Sequence, residues 1–212
     1  MSGEGLTPRA ARHYFAWKRV TDVCVSLIAL IVLAPVMLVT AAAVRAFLGS
    51  PVLFRHRRTG YRGKDFVLLK FRTMRPAEAG KDDDDAARLT RFGSWLRSTS
   101  LDELPQLINV LRGEMSLVGP RPLLPEYLQH YTKEQARRLE VPPGITGWAQ
   151  VNGRNNQSWD DRFRYDLWYV DNCSFWVDLK ILGMTSLLVL RRKGIARPGH
   201  ATMNRFTGQV EK

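Results

Sequence analysis

The sequence predicts a mixed α/β fold that is mostly helical. It has a small β-hairpin sheet, a re-entrant membrane helix near the N-terminus, and amphipathic helices lying along the membrane interface. Three observations lead there. Val23–Val44 (VCVSLIALIVLAPVMLVTAAAV) is an uncharged run of 22 residues. Two strand-like segments then flank a glycine-bearing turn, and residues 158–190 alternate aromatic and apolar side chains with charge.

As a helix the apolar run spans roughly 33 Å, about one hydrocarbon thickness. A straight anchor and a cleaved signal peptide share that composition, but strongly basic sequence follows the run, unlike a cleavage region. Pro35 falls near its middle, where it removes a backbone hydrogen bond and bends the helix. Basic residues flank it on both sides, Arg9, Arg12, Lys18 and Arg19 before and Arg45, Arg55, Arg57, Arg58 and Arg62 after. The positive-inside tendency holds both flanks in the cytoplasm. A helix that enters, bends at Ala34-Pro35 and returns meets that bias, with Ser26 and Thr40 as candidates to satisfy freed carbonyls.

Pro51–Arg58 (PVLFRHRR) and Asp65–Thr73 (DFVLLKFRT) read as strands joined by a turn through TGYRGK. The glycine pair in that turn is weak evidence for a nucleic-acid clamp. The Asp82–Asp85 run fits a solvated acidic loop better than a metal site. Glu126–Val141 reads as a polar helix ended by Pro142-Pro143-Gly144. Residues 144–155, GITGWAQVNGRN, read as a loop whose side-chain amides beside Trp148 suit a sugar or base. Gln150, Asn152 and Arg154 are its binding candidates. Aromatic and basic residues in 158–190 suit helices at the headgroup level, and the tail from Gly194 reads as irregular.

Lys plus Arg number 32 against 20 Asp plus Glu, a net charge of +12. Such a surface seeks anions: nucleic acid, acidic lipid or a phosphorylated substrate. Two cysteines, Cys24 and Cys173, offer neither a disulfide framework nor zinc spacing, in keeping with a cytosolic reactive surface. No phosphate loop or dinucleotide fingerprint is present.

The acids Asp102 and Glu103 stand within RSTSLDELPQLINVLRGEMSLVGPRP, residues 97–122. Ser100-x-x-Glu103 has the form of a capping box. Pro105 argues for a helix start nearer Leu104, which leaves both acids projecting from the preceding turn. Lys70, Arg72, Arg97 and Arg121 are the cations that can converge on an anion there. A carboxylate attacking a diphosphate needs such cations, usually with Mg²⁺, to offset repulsion. These residue types suit phosphoryl chemistry.

The apolar segment with a central proline, then KFRTM, RSTSLDELPQLINVLRGEMSLVGPRPLLPEY, PGITGWAQVNGRN and YDLWYV, together resemble the bacterial sugar transferases. More narrowly they resemble the small monotopic phosphoglycosyl transferases, including the diacetylbacillosamine-phosphate transferases. The resemblance runs from about Lys18 to the tail. It implies a membrane enzyme at the cytoplasmic face of the bacterial inner membrane, acting on a UDP-sugar and polyprenyl phosphate. By resemblance Asp102 is the nucleophile, and Glu103 assists proton transfer or helps place Mg²⁺. Arg97 and Arg121 match basic positions near the phosphates, and Asp166 matches an acidic one. The chain departs from well-known members in carrying Ala34-Pro35 where they have Ser-Pro. Residues 1–50 are then the anchor, 51–193 the catalytic domain and 194–212 the tail. Inner-leaflet lipids are expected partners and nucleic acid is not. The rival from another class is a non-catalytic, membrane-tethered basic module that binds nucleic acid or acidic lipid.

Overall fold

A computed structural model describes residues 8–76, 88–153, 157–191 and 206–208, with side chains from Tyr14 onward. The Asp82–Asp85 run, Arg154 and most of the tail lie outside the described residues.

Helix α1, Pro8–Leu48, is 41 residues long and contains Pro35. Its Tyr14–Leu48 portion is long and apolar enough to cross a membrane, and only 11% of its most apolar window is buried against the rest of the molecule. A core helix of this hydropathy would be covered; here Ile28, Ile31, Val32, Leu38 and Val39 are bare. The helix continues through Pro35, so a change of direction there is a kink within one element. Neither hydroxyl expected to satisfy a freed carbonyl does so. Proline frees the carbonyl four residues earlier, whereas Thr40 donates to the Val36 carbonyl at 2.8 Å. The buried Ser26 hydroxyl has no partner among the described residues.

Both arms of α1 dock on the same body. In the first arm Tyr14 and Lys18 donate to Asp178, Arg19 donates to the Val110 and Leu111 carbonyls, and Asp22 accepts from the Leu117 amide. In the second, buried Val44 packs with Phe71 and Leu96. The guanidinium of Arg72 closes that end by donating to the carbonyls of Leu48 and Ser50.

The predicted hairpin is present as β1, Leu53–Thr59, antiparallel to β2, Asp65–Phe71. Register pairs Phe54 with Lys70, His56 with Leu68 and Arg58 with Phe66. These side chains share a face, because directly opposed residues point the same way. Helix α2, Arg91–Ser98, follows, and α3, Gln106–Arg112, packs against the first arm of α1 and against β2. Buried Asn109 fixes α3 to the strand, accepting from the Leu69 amide at 3.0 Å and donating to the Val67 carbonyl at 2.7 Å.

Two sequence readings are corrected beyond this point. Residues 144–155 are not simply loop: Gly144–Thr146 is β4, parallel to β3, Ser116–Val118, and Trp148–Asn152 is a short helix, α5. The pairing is possible because Gly119 and Gly144 touch backbone to backbone. A Cβ on Gly144 would lie 2.1 Å from the Gly119 nitrogen. Glu126–Val141 is not one helix either. It divides into a 3₁₀ segment at Pro125–His130, a single α turn at Lys133–Ala136 (α4) and a second 3₁₀ turn at Arg137–Glu140. Thr132 is the cause, since it adopts extended backbone and starts a new turn through a capping box with Gln135.

Helices α6, Trp159–Asn172, and α7, Phe175–Leu190, complete the fold. The first buries Phe163, Asp166 and Tyr169, while the second leaves Phe175, Trp176, Leu179, Leu187 and Leu190 exposed. The main core gathers Leu107, Val110, Val118, Tyr169 and Ile181, with Tyr14, Phe15, Ala29 and Leu30 of α1 packed against it.

Candidate active site

The dyad lies on one 3₁₀ turn, Leu101–Glu103, between α2 and α3. The turn begins at Ser100, which has a left-handed backbone (φ 57°) and makes no capping bond with its side chain. The capping box allowed by the sequence is therefore absent, because the Glu103 carboxylate is engaged elsewhere. Left-handed backbone at a residue with a Cβ costs on the order of 1 kcal/mol or more and concentrates at functional sites. With α3 beginning only at Gln106, both acids project from the turn before it, as the placement of Pro105 anticipated.

Lys70 Nζ and Arg121 Nη2 both donate to Glu103 Oε1, at 2.5 and 2.8 Å. Lys70 comes from β2, and Arg121 follows the β3–β4 pairing at Gly119, so three separate elements meet on one oxygen. Burial works against ionisation of Glu103, but Arg121 and Lys70 outweigh it and hold the carboxyl well below its ordinary range. Asp102 is 6% exposed and forms no side-chain hydrogen bond among the described residues. Burial is the main influence on it. Lys70 attracts, the Glu103 charge repels, and the balance pushes Asp102 up to about 6. Neighbouring acids thus differ sharply: Glu103 is pinned as an anion, while Asp102 carries a more basic carboxylate. Environments that drive the pKa values of two adjacent acids apart are how one site assigns them separate roles.

Arg97 donates through Nε to Thr73 Oγ1 at 3.1 Å, and its charge helps keep Asp102 ionised. The structure thus brings together Lys70, Arg97 and Arg121 with the dyad. It does not bring Arg72, which is buried at the end of α1. Asp166 is also held apart from the dyad. It is buried in an ion pair with Arg138 at 2.8 Å, each side chain 2% exposed. Arg138 in turn donates to the Arg121 carbonyl at 2.7 Å, so Asp166 reaches the site through Arg138 and Arg121. Asn152 donates to the Trp148 carbonyl within α5. Both amide atoms of Gln150 are buried with no hydrogen-bond partner.

Sequence reasoning missed Arg138, whose link to Asp166 spans 28 residues and leaves no local signal.

Two adjacent carboxylates fall within the one or two that Mg²⁺ takes from a protein. The ion completes its shell with water and phosphate oxygens. Asp102 and Glu103 are the residues that would hold it; no group of three or more His, Cys, Asp or Glu side chains that could hold a metal ion is gathered among the described residues, at the dyad or elsewhere.

An anchored α/β body with a buried acidic pair under converging cations defines a class suited to handling phosphate anions at a membrane. Residues 13–192 match the family described as bacterial sugar transferase, and the chain belongs to that family. It is 52% identical over 193 residues to the uncharacterised sugar transferase EpsL of Bacillus subtilis, covering 90% of this chain and 96% of that one. It is 42% identical over 197 residues to the UDP-glucose:undecaprenyl-phosphate glucose-1-phosphate transferase of Xanthomonas campestris, covering 85% of this chain and 40% of that one. Over 208 residues it is 40% identical to the undecaprenyl-phosphate galactose phosphotransferase of Salmonella typhimurium, covering 89% and 43%. The chain thus spans about two fifths of these last two relatives. Membership in a transferase family favours the enzymatic reading over the non-catalytic basic module.

Proposed function

We propose that this protein transfers a sugar 1-phosphate from a UDP-sugar to polyprenyl (undecaprenyl) phosphate, the first membrane step of glycan assembly. The observation that carries the reading is Asp102: a buried, more basic carboxylate with no hydrogen-bond partner among the described residues, beside a Glu103 anchored by Lys70 and Arg121.

Asp102 attacks the sugar-bearing phosphorus, a P–O bond forms to its carboxylate, and the bond to UMP breaks. UMP leaves with the electron pair. The lipid phosphate then attacks the same phosphorus and displaces Asp102, giving polyprenyl-diphospho-sugar. An acyl phosphate conserves the energy of the original anhydride, so two near-balanced steps replace one. Lys70, Arg97 and Arg121 offset the charge of donor and acceptor. Mg²⁺, when bound, neutralises phosphate oxygens further. Gln150, Asn152 and Arg154 are assigned to donor recognition, and Asp166 to support of Arg121. Two of the relatives named above are named as a glucose-1-phosphate transferase and a galactose phosphotransferase; the narrower likeness to diacetylbacillosamine enzymes rests on the motifs alone.

Purified protein with a panel of UDP-sugars and undecaprenyl phosphate should release UMP with one or more of them. EDTA should stop release and Mg²⁺ restore it. No UMP from any donor would overturn the reading, and full activity in excess EDTA would remove the metal from it.

The acceptor's phosphate sits at headgroup level, so the dyad must sit there too. Residues 1–50 then anchor a 51–193 catalytic domain on the cytoplasmic face, through a kinked, re-entrant α1 and the exposed aromatics of α7. The docking of both α1 arms on one body supports this. A straight helix of this length extends about 60 Å, and its far end would stand clear of that body. Cysteines at Ser2 and Lys212, in a chain lacking Cys24 and Cys173, should both resist an impermeant thiol reagent in intact cells. Labelling at position 2 alone would establish a spanning helix.

A further inference from the structure

Phe206 lies in the C-terminal tail, yet it is only 6% exposed. Its ring centroid stands 5.2 Å from those of Trp159 and Phe163, 5.8 Å from Tyr127 and 6.0 Å from Tyr131. At such spacings aromatic rings attract one another beyond the area they bury. The chain turns just past it, because Gly208 adopts left-handed backbone (φ 76°) where a Cβ would stand 3.1 Å from the His130 Cβ. An irregular tail thus still delivers one ring to the interior. The cluster it completes reaches Arg121 by two routes. Tyr131 and Phe163 flank Arg138, whose guanidinium carbon lies 6.0 and 5.9 Å from their ring centroids. Arg138 in turn donates to the Arg121 carbonyl at 2.7 Å. Leu123, two residues beyond Arg121, is buried in the same cluster as Phe206. The segment that presents Arg121 to Glu103, at 2.8 Å, is therefore held from both routes by one aromatic cluster.

We propose that Phe206 is a positioning residue for the transfer reaction: it closes the aromatic cluster that holds Arg138 and Leu123, and through them it sets the place of Arg121 beside the dyad. The proposal rests on the transferase reading, which gives Arg121 the task of offsetting phosphate charge. Such stabilisation depends on donors fixed in advance where charge develops. Removing the Phe206 ring leaves a void between Phe163 and Tyr131 that its neighbours fill only in part. Those two rings then shift, Arg138 shifts with them, and the Arg121 carbonyl loses its fixed donor. Phe206 itself touches neither the dyad nor its cations, so its removal is felt in the rate and not in substrate affinity. The catalytic unit then takes in residues 206–208 and does not end at residue 193.

The test compares the full-length wild type with Phe206→Ala and Phe206→Leu in UMP release, with turnover expressed per folded molecule. Near-UV circular dichroism at the assay temperature gives the folded fraction. Phe206→Ala should lower kcat about ten- to hundredfold, the scale on which a small misplacement of a catalytic group is felt. Its KM for the UDP-sugar should stay at the wild-type value. Phe206→Leu, which refills part of the void without the ring, should fall between the two. A merely structural role would shrink the folded fraction and leave kcat per folded molecule unchanged. Wild-type kcat in folded Phe206→Ala overturns the proposal; where the alanine variant does not fold, wild-type kcat in Phe206→Leu overturns it instead. Hydrogen exchange needs no substrate. In whichever variant folds, residues 121–131 should exchange roughly tenfold faster while α3 keeps its wild-type rate, a local opening and not a global one. Unchanged exchange at 121–131 would also overturn the proposal. If the wild type releases no UMP, the transferase reading fails by itself, and the exchange measurement still decides whether Phe206 holds the Arg121 segment.

Discussion

Asp102→Asn should lower turnover by at least about a thousandfold, the scale on which loss of a nucleophile is felt, while leaving the fold intact. An amide cannot form an acyl phosphate, so labelled UDP-sugar should no longer mark the protein, whereas in the wild type the label should map to Asp102. Label elsewhere, or an active Asp102→Asn protein, would remove Asp102 from the mechanism. The same residue dictates a pH dependence. It must be ionised to attack and has been pushed up to about 6, so the rate should fall as pH drops through that value. Stability should move the opposite way. A carboxyl whose folded pKa exceeds its unfolded value binds its proton more tightly in the folded state, so its contribution is full below about pH 4 and is lost as pH rises through 6. Asp102→Asn removes a buried charge, and its thermal midpoint at pH 8 should be no lower than that of the wild type. A fall at pH 8 would mean that the ionised carboxylate is held by favourable contacts.

Arg138→Met should be strongly destabilising. It strands buried Asp166 and removes the donor to the Arg121 carbonyl, and losing one partner of a buried pair costs about 3–5 kcal/mol. Adding Asp166→Leu should restore most of the stability, because two apolar side chains carry no unpaired charge. Activity should not return with it, since Arg121 would still lack its support. Chemical denaturation of the two variants, paired with UMP release, measures both halves. Recovery of activity in the double variant would reduce the pair to packing.

Much of this was legible beforehand, for reasons that can be named. The apolar run and the hairpin are local patterns, and both were readable from periodicity and turn residues. The projecting dyad was readable from Pro105, which fixes where α3 can begin. What escaped depends on contacts between distant segments. The β3–β4 pairing turns on two glycines, Gly119 and Gly144, whose close approach leaves no mark on either segment alone. Arg72 and Arg121 look equivalent as basic residues beside motifs. One closes the end of α1 and the other meets Glu103, because they leave their elements in different directions. Asp166 likewise looked like a site acid, and its partner Arg138 lies 28 residues away in a segment that reads as helix surface.

The docking of α1 also sets an order of events during synthesis. Lys18 leaves the ribosome 160 residues before Asp178, the carboxylate it is paired with. At typical elongation rates that is a delay of roughly 8–30 s. Arg19 and Asp22 meet partners made 91 to 95 residues after them, whereas Lys18 has no final partner until Asp178 is made. The first arm can therefore meet α3 and β3 first, and its ion pair with α7 is the last of its described contacts to become possible.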